Sequence, residues 1–170
     1  ISYQTVDQTL SPFELPLACL SITFKPKPIM LSITKIFHFE MAHAIYGYAG
    51  ACKNIHGHSY ELHVTVSAEG DETVYIPPPG FMADFKDIKK WVQAAVIEKM
   101  DHSLLLSQDF IAANPTVSSL KNLVIFEAEP TAENLLIQIR LILVKILPVN
   151  LKLIRLKLFE TKDSYAEWAA

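Results

Sequence analysis

Apolar and polar side chains alternate over residues 31–39, LSITKIFHF, where Ile33, Lys35, Phe37 and Phe39 share one parity. That is the period of a half-buried strand. Residues 58–68, HSYELHVTVSA, are rich in β-branched and aromatic side chains and predict a second strand, antiparallel to the first. The glycine-containing stretch 46–51 and residues 70–80, with Pro77, Pro78 and Pro79, read as loops. At Asp84 the period becomes helical: Phe85, Ile88, Trp91, Val92, Ala95 and Val96 form a stripe behind an N-cap aspartate, with an end expected near Met100. DHSLLL follows, then a polar, irregular connection through Ser119, with a small strand at 123–126. Pro130 and Thr131 open a second helix, Glu133 in its first turn suits the helix dipole, and Pro148 stops it after about Leu147. Residues 151–161 alternate again, with Leu151 and Leu153 on one side of Ile154 and Leu156 and Leu158 on the other; 165–168 is a last short strand. The expected order is β-β-α-α-β-β, an α+β chain.

At 170 residues the chain fits one domain, large enough to bury a core without disulfide or metal staples. A hydrophobic content of 51% against 19% charged residues excludes a disordered chain and points to subunit contacts, unless the alternating strands absorb the excess. The formal charge of −3 and pI near 6.1 supply no basic surface, so neither nucleic acid nor an anionic membrane is an expected partner. The most apolar run, residues 135–147, is broken by Gln138, Arg140 and Lys145 and is too short to span a bilayer. Cys19 and Cys52 sit in different contexts and read as thiols of a reducing, cytoplasmic compartment. Residues 1–29 carry four prolines and no basic start before an apolar stretch, which makes a poor secretory signal. Met30 reads as a natural start. The preceding residues are expected to be an extension of the 30–170 domain, or a segment that packs on a subunit.

The chemistry concentrates at ACKNIHGHSY, residues 51–60. In an extended chain His56 and His58 project to the same face, and His43, at the end of the first strand, can meet them across the antiparallel pair. Three imidazoles without a fourth protein ligand suit a zinc ion (Zn2+) that keeps a position open. Cys52 is either a further ligand or free to react beside the metal. His38 and His63 lack such company and read as structural. Asp101-His102 is either a carboxylate that orients an imidazole or a polar helix end. Glu160 closes an apolar strand, where it either binds N–H donors or lies at the wet end.

Taken together, FHFEMAH (37–43), CKNIHGHSY (52–60), GFMADFKDIKK (80–90), MDHSLL (100–105), EPTAENL (129–135) and FET (159–161) resemble the 6-pyruvoyl-tetrahydropterin synthase / 6-carboxy-tetrahydropterin synthase (QueD) family, in the family's order. The resemblance implies zinc on His43, His56 and His58, a catalytic Cys52 with the partners Asp101 and His102, and Glu160 anchoring the pterin with the backbone at Thr131 and Ala132. It implies the tunnelling fold (T-fold), an antiparallel sheet with helices on one face. Sheets of several subunits join into a barrel, commonly a hexamer made of two trimers with active sites between subunits. The spacing Cys-x3-His-Gly-His resembles the carboxy-tetrahydropterin enzymes, which convert 7,8-dihydroneopterin triphosphate to 6-carboxy-5,6,7,8-tetrahydropterin, acetaldehyde and triphosphate on the route to queuosine. Lys35, Lys53 and Lys162 are candidates for the triphosphate. The alternatives are the pyruvoyl synthase reaction and a non-catalytic pterin- or zinc-binding oligomer. Residues 1–29 and the long 103–128 connection depart from the family pattern.

Overall fold

A computed structural model describes residues 31–68 and 74–170; the expected extension, 1–29, lies outside the described residues. Strand β1 (Ser32–His43) pairs antiparallel with β2 (His56–Ala68) in unbroken register from Ser32↔Ser67 to His43↔His56. Helix α1 (Phe85–Val92) starts at Asp84, whose carboxylate accepts the Lys86 N–H at 2.8 Å, and runs on through a π-type turn, Gln93–Ile97, to Glu98–Met100. Then come β3 (Ser103–Ser107), α2 (Gln108–Ala113), β4 (Leu123–Phe126), α3 (Ala132–Ile146), β5 (Leu151–Thr161) and β6 (Ser164–Ala169). All six strands form one sheet in the order β4-β3-β1-β2-β5-β6.

Two features differ from the sequence expectation. The sheet is mixed rather than antiparallel throughout, because β3 runs parallel to β1 and β4 parallel to β3. DHSLLL, read as part of a connection, supplies β3, and all five of its residues are buried. A strand covered on both faces shows a continuous apolar run, so no alternation marks it in sequence. The helices also do not share one face. Leu105 points into the main core, whereas Leu104 and Leu106 pack with Ala44 and with Phe110 of α2 in a second cluster across the sheet.

The main core joins the odd-numbered residues of β1 and the even-numbered residues of β2 to α1 and α3, through Phe37, Leu62, Ile88 and Ile139 among others. Each fully buried aliphatic side chain contributes roughly 1.5–3 kcal/mol. The phase break at Ile154 has a physical cause: Thr65 pairs with Arg155 but Val66 with Leu153, so Ile154 is the extra residue of a β-bulge. The bulge returns Leu156 and Leu158 to the core face that Leu151 and Leu153 already occupy.

Candidate metal centre and active-site cavity

The β1–β2 register places His43 directly opposite His56, with His58 two residues further on the same face. The three imidazoles offer ring nitrogens within 4.8 Å of one another. His43 Nδ1 lies 2.6 Å from the Pro130 carbonyl, and His56 Nδ1 2.8 Å from that of Asn54. A carbonyl only accepts, so both Nδ1 atoms carry the proton and both Nε2 atoms present lone pairs, 3.2 Å apart. Outer hydrogen bonds of this kind fix the tautomer and aim of metal-bound imidazoles. His58 Nε2 is buried and has no hydrogen-bond partner among the described residues. Burial holds His43 below the ordinary histidine range, against the opposing pull of the Pro130 carbonyl; burial also lowers His58. Neutral imidazoles are what a metal requires. The donor set therefore fits a divalent ion.

Glu160, at the end of β5, approaches this cluster: its Oε1 is 3.4 Å from His43 Nε2 and 3.7 Å from His58 Nε2. The same oxygen accepts the buried Tyr60 hydroxyl at 3.3 Å. Burial first, then the Glu160 charge, pushes the Tyr60 phenol far above its usual range, so Tyr60 stays a donor. Beside the cluster lies a cavity of about 300 Å³ whose lining includes His43, Cys52, Thr131, Ala132, Glu160 and Tyr165. Cys52 sits exposed on a short turn, tied to the end of β1 by Ile45 N–H donating to its carbonyl at 2.9 Å. Thr131 caps α3 by accepting the Asn134 N–H at 3.4 Å, which turns the helix N-terminus toward the cavity. None of Lys35, Lys53 and Lys162 lines it; Lys53 lines an adjoining depression with Tyr46 and Asn54.

Asp101 and His102 stand elsewhere. The His102 Nδ1 is 2.9 Å from Asp101 Oδ1, which also accepts the Glu40 N–H at 2.9 Å. That backbone bond is the main reason the Asp101 carboxyl lies below its usual range. His102 lines a depression with Ala42, Gly57 and His58; Ala42 and Gly57 are a cross-strand pair of the parity opposite to the imidazoles, that of the sheet's outer face, and His58 alone of the cluster borders it. This depression and the Cys52 cavity share no lining residue, so Cys52 and His102 border different spaces within the chain. His38 and His63 lie on that outer face too, 3.7 and 2.6 Å from Glu61. Sequence reasoning missed Tyr60 and the Pro130 and Asn54 carbonyls. Tyr60 had one available signal, its parity with His56 and His58; the carbonyls had none.

A curled α+β sheet with three imidazoles gathered at the end of its central hairpin defines a protein of the tunnelling-fold class. Its fold matches 6-pyruvoyl tetrahydropterin synthase of Caenorhabditis elegans, with TM-score 0.60 and 20% identity over 84% of this chain and 96% of that one. An uncharacterised protein of Wolinella succinogenes matches with TM-score 0.66 and 18% identity over 84% and 99%. The chain belongs to the 6-pyruvoyl tetrahydropterin synthase family, whose sequence profile matches residues 32–170. It is 30% identical to the 6-carboxy-5,6,7,8-tetrahydropterin synthase of Rickettsia felis over 146 residues, 81% of this chain and 99% of that protein. A Haemophilus influenzae protein of the same name is 38% identical over 79 residues, 46% of this chain and 55% of that protein's length. The human 6-pyruvoyl tetrahydrobiopterin synthase is 32% identical over 68% of each chain.

Proposed function

We propose that the chain is a zinc-dependent 6-carboxy-5,6,7,8-tetrahydropterin synthase. It takes 7,8-dihydroneopterin triphosphate and water to 6-carboxytetrahydropterin, acetaldehyde and triphosphate, in the cytoplasm, on the route to queuosine. The observation that carries this reading is the shared cavity: a free thiol, a carboxylate and His43, one imidazole of the three-histidine cluster, border one space. The relatives named for that activity and the Cys-x3-His-Gly-His spacing support the carboxy product.

His43, His56 and His58 hold the zinc, which when bound supplies Lewis-acid polarisation of substrate oxygens. Glu160 accepts hydrogen bonds from the pterin N–H groups, with Tyr60 holding its other oxygen and the backbone at Thr131 and Ala132 assisting. Cys52, as thiolate, removes a carbon-bound proton from the substrate side chain. Asp101 orients His102 as the partner acid–base group. That His102 borders a different space from Cys52 within one chain supports an active site completed across a subunit boundary, and so a homo-oligomer; the hexamer of two trimers comes from the family resemblance.

Cys52→Ala tests the assignment. The variant is expected to keep one metal per subunit while turnover disappears; metal lost along with activity would make Cys52 a ligand and refute the scheme. The second reading, pyruvoyl synthase chemistry, is favoured by the similarity to the human protein and is separated by its product.

A further inference from the structure

Among the described residues His102 is the non-glycine residue with a positive φ, 57°. Most side chains with a Cβ are disfavoured in that left-handed region, and histidine, like asparagine, enters it at a modest cost. Such strain persists where the surroundings over-determine the backbone, and it collects at functional positions. Here the surroundings do so from three sides. The His102 N–H donates to the Glu40 carbonyl at 2.6 Å, its Nδ1 meets Asp101 at 2.9 Å, and its carbonyl accepts the Asn122 side-chain amide at 3.2 Å.

Asn122 is fixed at both ends. Its own carbonyl accepts the Leu104 N–H at 2.9 Å, so it brackets the residue between, Ser103, where β3 begins beside β1. It stands immediately before β4, the strand that pairs parallel with β3, and it lines the same depression as His102. The parallel edge thus delivers a side chain to the one strained corner of the Asp101-His102 pair.

We infer that Asn122 is a positioning residue for His102: by holding the His102 carbonyl it maintains the left-handed backbone that aims the imidazole into the outer-face depression. This rests on the proposed acid–base role of His102. Glu40 contributes the rest of the clamp through main-chain atoms that substitution leaves in place.

The test is a double-mutant cycle on the full-length, zinc-loaded protein with 7,8-dihydroneopterin triphosphate: wild type, Asn122→Ala, His102→Asn and the double variant. Asparagine at 102 tolerates the left-handed backbone and removes the imidazole. Asn122→Ala is expected to lower kcat by a factor of roughly 3–10, the range of one hydrogen bond, with KM and metal content unchanged. In the His102→Asn background the same substitution should cost nothing further. An equal loss in both backgrounds would make Asn122 merely structural and overturn the inference. If the wild type does not turn over, the proposed function fails, and the His102 Cα chemical shift then decides the positioning alone. That shift is expected to move in Asn122→Ala; an unchanged shift overturns the inference.

Discussion

Tyr60→Phe removes one oxygen and nothing else of consequence. The ring is 1% exposed, stacked on Phe39 at 5.2 Å between centroids and flanked edge-on by His43 and His58, and a phenylalanine keeps every one of those contacts. What disappears is the hydroxyl donated to Glu160 Oε1 at 3.3 Å. A hydrogen bond to a charged group contributes about 1.5–3 kcal/mol. The Glu160 side chain is 29% exposed and the bond is long, so water recovers part of it, leaving about 1–2 kcal/mol for the orientation of the carboxylate. If Glu160 grips the pyrimidine edge of the pterin, away from the N5–C6 bond that becomes saturated in the reaction, ground and transition states lose that energy equally. The expected result is KM raised roughly 5–30-fold with kcat within a factor of about two. Steady-state kinetics with dihydroneopterin triphosphate reads both, and metal analysis accompanies them, since Tyr60 is not among the three clustered imidazoles. A KM within twofold of wild type would refute the role of Tyr60, and loss of metal would show that the hydroxyl supports the metal cluster instead.

Other expectations are as direct. His56→Ala should lose metal and turnover together, read by metal-to-protein ratio; a full complement of tightly held metal would remove His56 from the ligand set. Burial holds His43 and His58 below the ordinary value of 6.5, so the unfolded chain takes up protons below that pH which the folded chain refuses. The stability of the metal-free protein should therefore fall as pH drops from about 6.5 through the lowered folded values, and these two groups should add no slope above it. Urea unfolding at neutral and mildly acidic pH measures this; a His58→Asn variant with an undiminished acid loss would contradict it. Leu106→Ala, at a wholly buried site in β3, should destabilise by about 2–5 kcal/mol. A loss under about 1 kcal/mol in denaturant melts would mean that the parallel edge is not packed as described.

Where local periodicity and tertiary environment agree, the sequence is readable. Strands β1 and β2 alternate because one face is wet, and α1 and α3 begin where Asp84 and Thr131 cap them. The imidazole cluster was legible for the same reason, since parity and pairing alone bring His43, His56 and His58 to one face. Strand β3 was not, because SLLLS is covered from both sides and carries no period. The turn of α2 to the far face depends on Phe110 finding Leu104 and Leu106, a contact without local signature. That Cys52 and His102 border different spaces was equally hidden: Asp101 and His102 follow α1 in sequence, but the Glu40 backbone draws them to the outer face.

The central claim, that a free Cys52 beside three zinc-binding imidazoles carries out carboxytetrahydropterin synthesis, meets its most direct test in one product analysis. Purified zinc-loaded protein is given 7,8-dihydroneopterin triphosphate, and the products are resolved by chromatography and mass. The account predicts 6-carboxytetrahydropterin with acetaldehyde and triphosphate in equal amounts. Triphosphate accompanied by 6-pyruvoyl-tetrahydropterin and no acetaldehyde, or unchanged substrate, would contradict it.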